Sequence, residues 1–132
     1  MDTQTFEKLI KSRKLPSPIY IFGGPELFLK QKTFNLLAKT YVPPEEQSEN
    51  VYRIICNGKD LPDLINLIYS FSFNPSPRLF FIQDLDEVTS KQRKEFLEKL
   101  KNGGVPIETI IVFAVKDSKI ATEISSAFKQ QS

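Results

Sequence analysis

The chain has 132 residues, 40% hydrophobic and 26% charged, with 11 Phe, one Cys and no His; this is one domain on a scale of roughly 100–200 residues per domain, with material for a full core. The lone Cys56 and the missing imidazoles exclude internal disulfides, Cys/His zinc sites and every His-dependent triad, and nothing asks for an oxidising compartment, so the cytoplasm is the expected location. A net charge of +2 is too small to argue for nucleic acid or an anionic membrane, no apolar run approaches the roughly 18 residues of a membrane span, and "MDTQTFEKLIKSRK" reads as an amphipathic opening rather than a signal peptide.

Short strands alternate with helices along the chain. Phe6, Leu9 and Ile10 define a first amphipathic helix, which "LPSP" (15–18) stops. "IYIF" (19–22) is an unbroken apolar run, as in a strand buried on both faces. The next helix is expected from Pro25-Glu26, with a proline and an acid in its first turn and Leu27, Phe34, Leu37 and Tyr41 on one face. A polar connection, "VPPEEQSEN" (42–50), leads to a second strand, "VYRIIC" (51–56). Asp60 is the expected cap of a helix with the stripe Leu61, Leu64, Ile65 and Ile68, in which Pro62 is tolerated only in the first turn.

"RLFFI" (78–82) is the third strand. Thr89 to Gln92 has capping-box spacing and opens a helix with Phe96, Leu97 and Leu100 inward, closed by Asn102-Gly103-Gly104. "TIIVFAV" (109–115) is the fourth strand, and Asp117 or Ser118 caps a last helix bearing Ile120, Ile124 and Phe128. The order α-βα-βα-βα-βα predicts an α/β fold, a mostly parallel sheet with helices on both faces. The chain stops after a helix, with "KQQS" (129–132) trailing and no closing strand. It is read as one domain, 1–132, either four-stranded or cut from something longer.

Two motifs invite a nucleotide reading. In "IYIFGGPELFLKQ" (19–31) an apolar strand meets a glycine turn and then a helix, the usual seat of phosphate. A phosphate loop needs G-x-x-x-x-G-K-[ST]. Counted from Gly23 the last three places are Phe28, Leu29 and Lys30; counted from Gly24 they are Leu29, Lys30 and Gln31. Neither register keeps the second glycine or the hydroxyl. Phe28 and Leu29 are expected to occupy the phosphate's place, and Glu26 to compete with an anion for the helix start. The turn reads as a degenerate nucleotide site of Gly23, Gly24 and Lys30, with no cofactor expected.

In "LFFIQDLDEVTS" a strand ends in acids, as when a carboxylate is presented to magnesium, but Asp86-Glu87 comes two residues late. These acids are expected to cap the next helix and stay solvated, with no metal and no catalytic residue. The G-x-S-x-G elbow and the G-x-G-x-x-G fingerprint are both missing.

"YSFSFNPSPRL" (69–79) poses a different question. Phe71 and Phe73 follow the end of a helix and run into a proline-rich turn that cannot continue it. Large aromatics there are poorly placed for a core and well placed for a partner's pocket. Phe73 is expected exposed; Phe71 either joins it or folds under the loop.

Taken in order, "PIYIFGGPELFLKQ", "FNPSPRLFFIQDLDEV" and "TIIVFAVKDSKI" resemble the delta subunit of the bacterial DNA polymerase III clamp loader over nearly the whole chain. The resemblance implies an AAA+-like domain that has lost ATP binding. It also implies a subunit that binds the sliding clamp (beta subunit) and helps open it for loading onto primed DNA. Full-length members carry lid and collar domains after this one, so the resemblance implies an N-terminal fragment whose other loader contacts lie mostly elsewhere and whose DNA contact belongs to the assembled complex.

The implied clamp-binding residues are Phe71, Phe73, Asn74 and Pro75. Members usually have two adjacent apolar residues before the "RL"; here Ser72 precedes Phe73, and Phe71 would substitute from one position further back. Two other readings stay open: a P-loop-type nucleotide-binding or regulatory domain using Lys30 and Asp84, and a structural α/β domain whose aromatics are all core.

Overall fold

A computed structural model describes residues 3–128 except 14 and 16; Pro16 of "LPSP" and the 129–132 tail lie outside the described residues. The described residues form the nine expected helices and strands and one further short helix, α3: α1 (Thr3–Ser12), β1 (Ile19–Phe22), α2 (Leu27–Tyr41), α3 (Gln47–Asn50), β2 (Val51–Ile55), α4 (Leu61–Ile68), β3 (Arg78–Gln83), α5 (Ser90–Gly103), β4 (Thr109–Ala114) and α6 (Ser118–Ala127). The strands form one sheet in the order β1-β4-β3-β2, and every pairing is parallel.

Strand alternation sends neighbouring side chains to opposite faces, so the central strands feed two cores. Leu79 and Phe81 of β3 and Val112 of β4 meet Phe6 and Ile10 of α1 and Phe34 and Leu37 of α2. Phe80 and Ile82 of β3 and Ile111 and Phe113 of β4 meet Leu64 and Ile68 of α4, Phe96 and Leu100 of α5 and Ile124 of α6. The "IYIF" strand is not buried on both faces. Tyr20 and Phe22 are buried while Ile19 and Ile21 are half-buried, because β1 lies at a sheet edge under incomplete helix cover.

The helix ends correct the sequence reading at three places and match it at two. Helix α2 begins at Leu27, so Pro25 and Glu26 precede it, and Glu26 makes no side-chain cap. Asp60 does not cap α4; Asn57 accepts from the Lys59 N–H and caps a 3-10 turn, Gly58–Asp60, that leads into it. The polar connection 42–50 is ordered as a 3-10 turn, Pro44–Glu46, followed by α3. The Thr89/Gln92 capping box is formed, and Asp117 caps α6 through the Lys119 N–H.

Candidate functional site

Parallel strands place the loops entering them at one end of the sheet and the loops leaving them at the other. Arg78 pairs with Thr109 in register, so the loops entering β3 and β4 lie side by side. The glycine turn after β1 stands at the opposite end, with the ends of β3 and β4.

At the glycine turn, Gly24 has φ +95, which a side chain would strain, whereas a Cβ on Gly23 would meet only ordinary contact with Ala121. Phe28 and Leu29 do not fill the phosphate position: they are 75% and 40% exposed and stand at the surface. Lys30 is the buried residue. Its ammonium donates to the carbonyls of Gly24 and, at 2.9 Å, Val115, tying the turn after β1 to the end of β4. Burial lowers its pKa, Asp86 opposes that shift and Lys116 adds to it. This cation is committed to backbone oxygens.

Nor does Asp86 cap the helix that follows it. Its carboxylate accepts from the backbone N–H of Lys116 at 3.0 Å and of Asp117 at 3.3 Å, holding the turn between β4 and α6. Asp84 takes a left-handed φ of 65 at the sharp exit from β3. Among the described residues no three acidic or thiol side chains group closely enough to hold a metal.

At the other end of the sheet, α4 closes at Ile68 and the two aromatics ride on the loop beyond it. Phe71 is 78% and Phe73 89% exposed, and their rings meet edge to face with centroids 4.9 Å apart. Such a pair buries little against the chain itself and presents one continuous apolar knob. Pro75 is also exposed. Asn74 is turned inward, its amide donating to Glu49 at 2.7 Å and Asn50 at 2.8 Å.

Three residues that the sequence did not single out hold this loop. Asn50, buried at the end of α3, donates to the carbonyls of Ser76 at 2.9 Å and Pro77 at 3.3 Å while accepting from Asn74. Arg78 is buried with its guanidinium on the rings of Tyr52 and Phe80, and it donates to the carbonyls of Leu67 at 2.8 Å and Ser70 at 2.9 Å. A cation there satisfies the orphan carbonyls that end α4. Tyr69 donates to the Gly104 carbonyl at 2.8 Å, and its hydroxyl comes so near Gly103 that a Cβ there would stand 2.4 Å from it. Burial pushes the Tyr69 hydroxyl above its usual pKa, which keeps it a donor. A pattern-based reading sees only an arginine opening a strand and an asparagine closing a polar connection.

The sheet is all-parallel and layered by helices, an α/β architecture with an aromatic tip at its N-terminal end and a filled glycine turn at its C-terminal end. Among solved structures, the Bacillus subtilis DNA clamp loader delta protein superposes over 99% of this chain with a TM-score of 0.78 at 19% identity. A DNA polymerase III gamma subunit-related protein from Thermotoga maritima superposes over 99% with a TM-score of 0.62 at 14% identity. These likenesses are of fold. The chain spans 41% of the first protein's length and 44% of the second's. No protein-family model matches the chain, and no curated protein matches it in sequence. No helix among the described residues is long and apolar enough to cross a membrane.

Proposed function

We propose that this chain is a non-catalytic clamp-loader module, residues 1–132 forming its clamp-binding domain, and that it docks on a sliding clamp through Phe71 and Phe73. The observation that carries this reading is the exposed, mutually packed pair Phe71/Phe73 on a loop braced by Asn50 and Arg78, in a chain with the fold of a clamp-loader delta protein. The rings enter an apolar pocket of the clamp, and the rigid turn from Asn74 to Pro77 sets their angle. Pre-ordering the loop lowers the entropy lost on docking. In the assembled cytoplasmic loader the module helps open the clamp for loading onto primed DNA, and contact with DNA and the other subunits belongs to that assembly.

The test is binding of the chain to a bacterial sliding clamp beside a Phe71→Ala/Phe73→Ala variant. Loss of a central aromatic anchor costs on the order of 2 kcal/mol or more, about thirtyfold in affinity. Both rings are exposed, so the variant keeps its fold, and undiminished binding by it overturns the assignment. Against the nucleotide reading stands Lys30, whose ammonium is held by two backbone carbonyls. Excess Mg-ATP is expected to leave thermal unfolding unchanged, where a ligand at a hundred times its dissociation constant would add about 2.7 kcal/mol.

A further inference from the structure

The turn between α5 and β4 carries an apolar residue with no role in the core. Ile107 is 91% exposed, more than either phenylalanine of the tip. It stands between Pro106 and Glu108, and Glu108 takes a left-handed φ of 60, so the turn is tight and projects the side chain outward. This turn is fastened to the aromatic loop from both sides. The Arg78 N–H donates to the Glu108 carbonyl at 2.9 Å, and Tyr69 donates to Gly104 at the start of the same connection. Between the two segments runs a surface groove of about 440 Å³, with Phe71 and Pro75 on one side and Pro106 and Ile107 on the other.

Three acids stand beside these apolar residues, and the exposed Arg13, on the far side of Glu108, is turned to the Thr40 carbonyl and the Tyr41 ring. Glu49 is bonded to Asn74, Glu46 accepts from Ser76 at 2.7 Å, and the exposed Glu108 is part of the groove itself. Arg78, the cation beneath them, is buried and committed to carbonyls of α4 and the turn after it. The surface therefore has an apolar centre of Phe71, Phe73 and Ile107 and an acidic margin. That arrangement suits a partner face with an apolar depression bordered by lysine or arginine, since opposite charges at the margin steer encounter while desolvated apolar anchors supply affinity.

We propose that Ile107 is a third apolar anchor of the docking surface and engages the same clamp as Phe71 and Phe73, with Glu46, Glu49 and Glu108 facing basic residues at the border of the clamp's pocket. The proposal rests on the clamp-docking reading and extends it to a second loop. Docking on two rigidly joined loops fixes the orientation of the module on the clamp, which a single aromatic knob leaves free to swivel.

The experiment measures binding of the 132-residue chain and its Ile107→Ser, Phe73→Ala and Phe28→Ser variants to a bacterial sliding clamp at low and high salt. Phe28, an apolar residue 75% exposed at the opposite end of the sheet, controls for general stickiness. Ile107→Ser is expected to weaken binding about tenfold, the effect of withdrawing part of one buried isoleucine. Phe73→Ala should weaken it more, Phe28→Ser should leave it unchanged, and salt should slow association. If Phe73→Ala abolishes binding while Ile107→Ser stays within twofold, the proposal for Ile107 fails and the docking reading stands. An equal loss with Phe28→Ser also overturns it. If the well-folded wild-type chain does not bind, both fall together.

Discussion

Nη2 of Arg78 lies 2.8 Å from the carbonyl oxygen of Leu67, so the first residue of β3 closes the last turn of α4. The same guanidinium reaches the carbonyl and hydroxyl of Ser70 and lies over the rings of Tyr52 and Phe80. One buried side chain thus joins a helix end, a strand start and the root of the aromatic loop.

Replacing Arg78 by Met keeps much of the apolar stem but leaves those carbonyls without a donor. Charge-assisted hydrogen bonds contribute about 1.5–3 kcal/mol each, and their loss on one residue should cost about 3 kcal/mol in all. For a domain of this size that lowers Tm by about 10 °C. Arg78→Lys should recover little, because a single ammonium cannot span the carbonyls that the planar fork reaches. Thermal and urea unfolding of the two variants check both statements.

Asn50→Ala should affect docking more than folding. The variant frees the Ser76 and Pro77 carbonyls and removes the acceptor for Asn74, at about 2 kcal/mol. Hydrogen exchange across residues 70–78 is expected to accelerate while the exchange of β3 and β4 amides scales only with global stability. Uniform acceleration across the sheet would show that Asn50 supports the whole fold and not the loop in particular.

Lys30 gives stability a dependence on alkaline pH. Its pKa is lowered in the folded chain, chiefly by burial, so between that lowered value and 10.5 the unfolded chain binds more protons and folding stability rises with pH. Below that window the cost of burying an ammonium is fully present. Urea unfolding from pH 8 to 10.5 should show the wild type gaining stability relative to Lys30→Met. A pH-independent difference between the two would contradict the assignment.

Cys56 should behave as an inert thiol. Burial pushes its pKa up to about 12, with the negative charges of Asp84 and Asp86 adding to the shift. Because the folded value is raised, its contribution to stability is complete below the ordinary value of 9.0 and is lost as pH rises towards 12. An aromatic disulfide reagent at pH 8 is expected to label the native chain far more slowly than the urea-unfolded one. Rapid labelling without unfolding would show that the thiol is accessible.

The sequence by itself determined the order of the elements, the parallel α/β class and the faces that form the two cores. Those features follow from local pattern: continuous apolar runs along β3 and β4, a period of three to four along α4 and α5, and the Thr89/Gln92 box set by residues in contact along the chain. It also marked the pair Phe71 and Phe73 as poorly placed for a core and Phe73 as exposed, but left open whether Phe71 folds under the loop, which the structure decides by leaving it 78% exposed. Only the tertiary structure decided that Lys30 fills the glycine turn through Val115, that Asp86 holds the β4–α6 turn, and that Asn50, Arg78 and Ile107 converge on the tip. Those contacts join residues about 10 to 85 positions apart. They depend on strand order and register, which bring the starts of β3 and β4 together and which no local pattern of residues encodes.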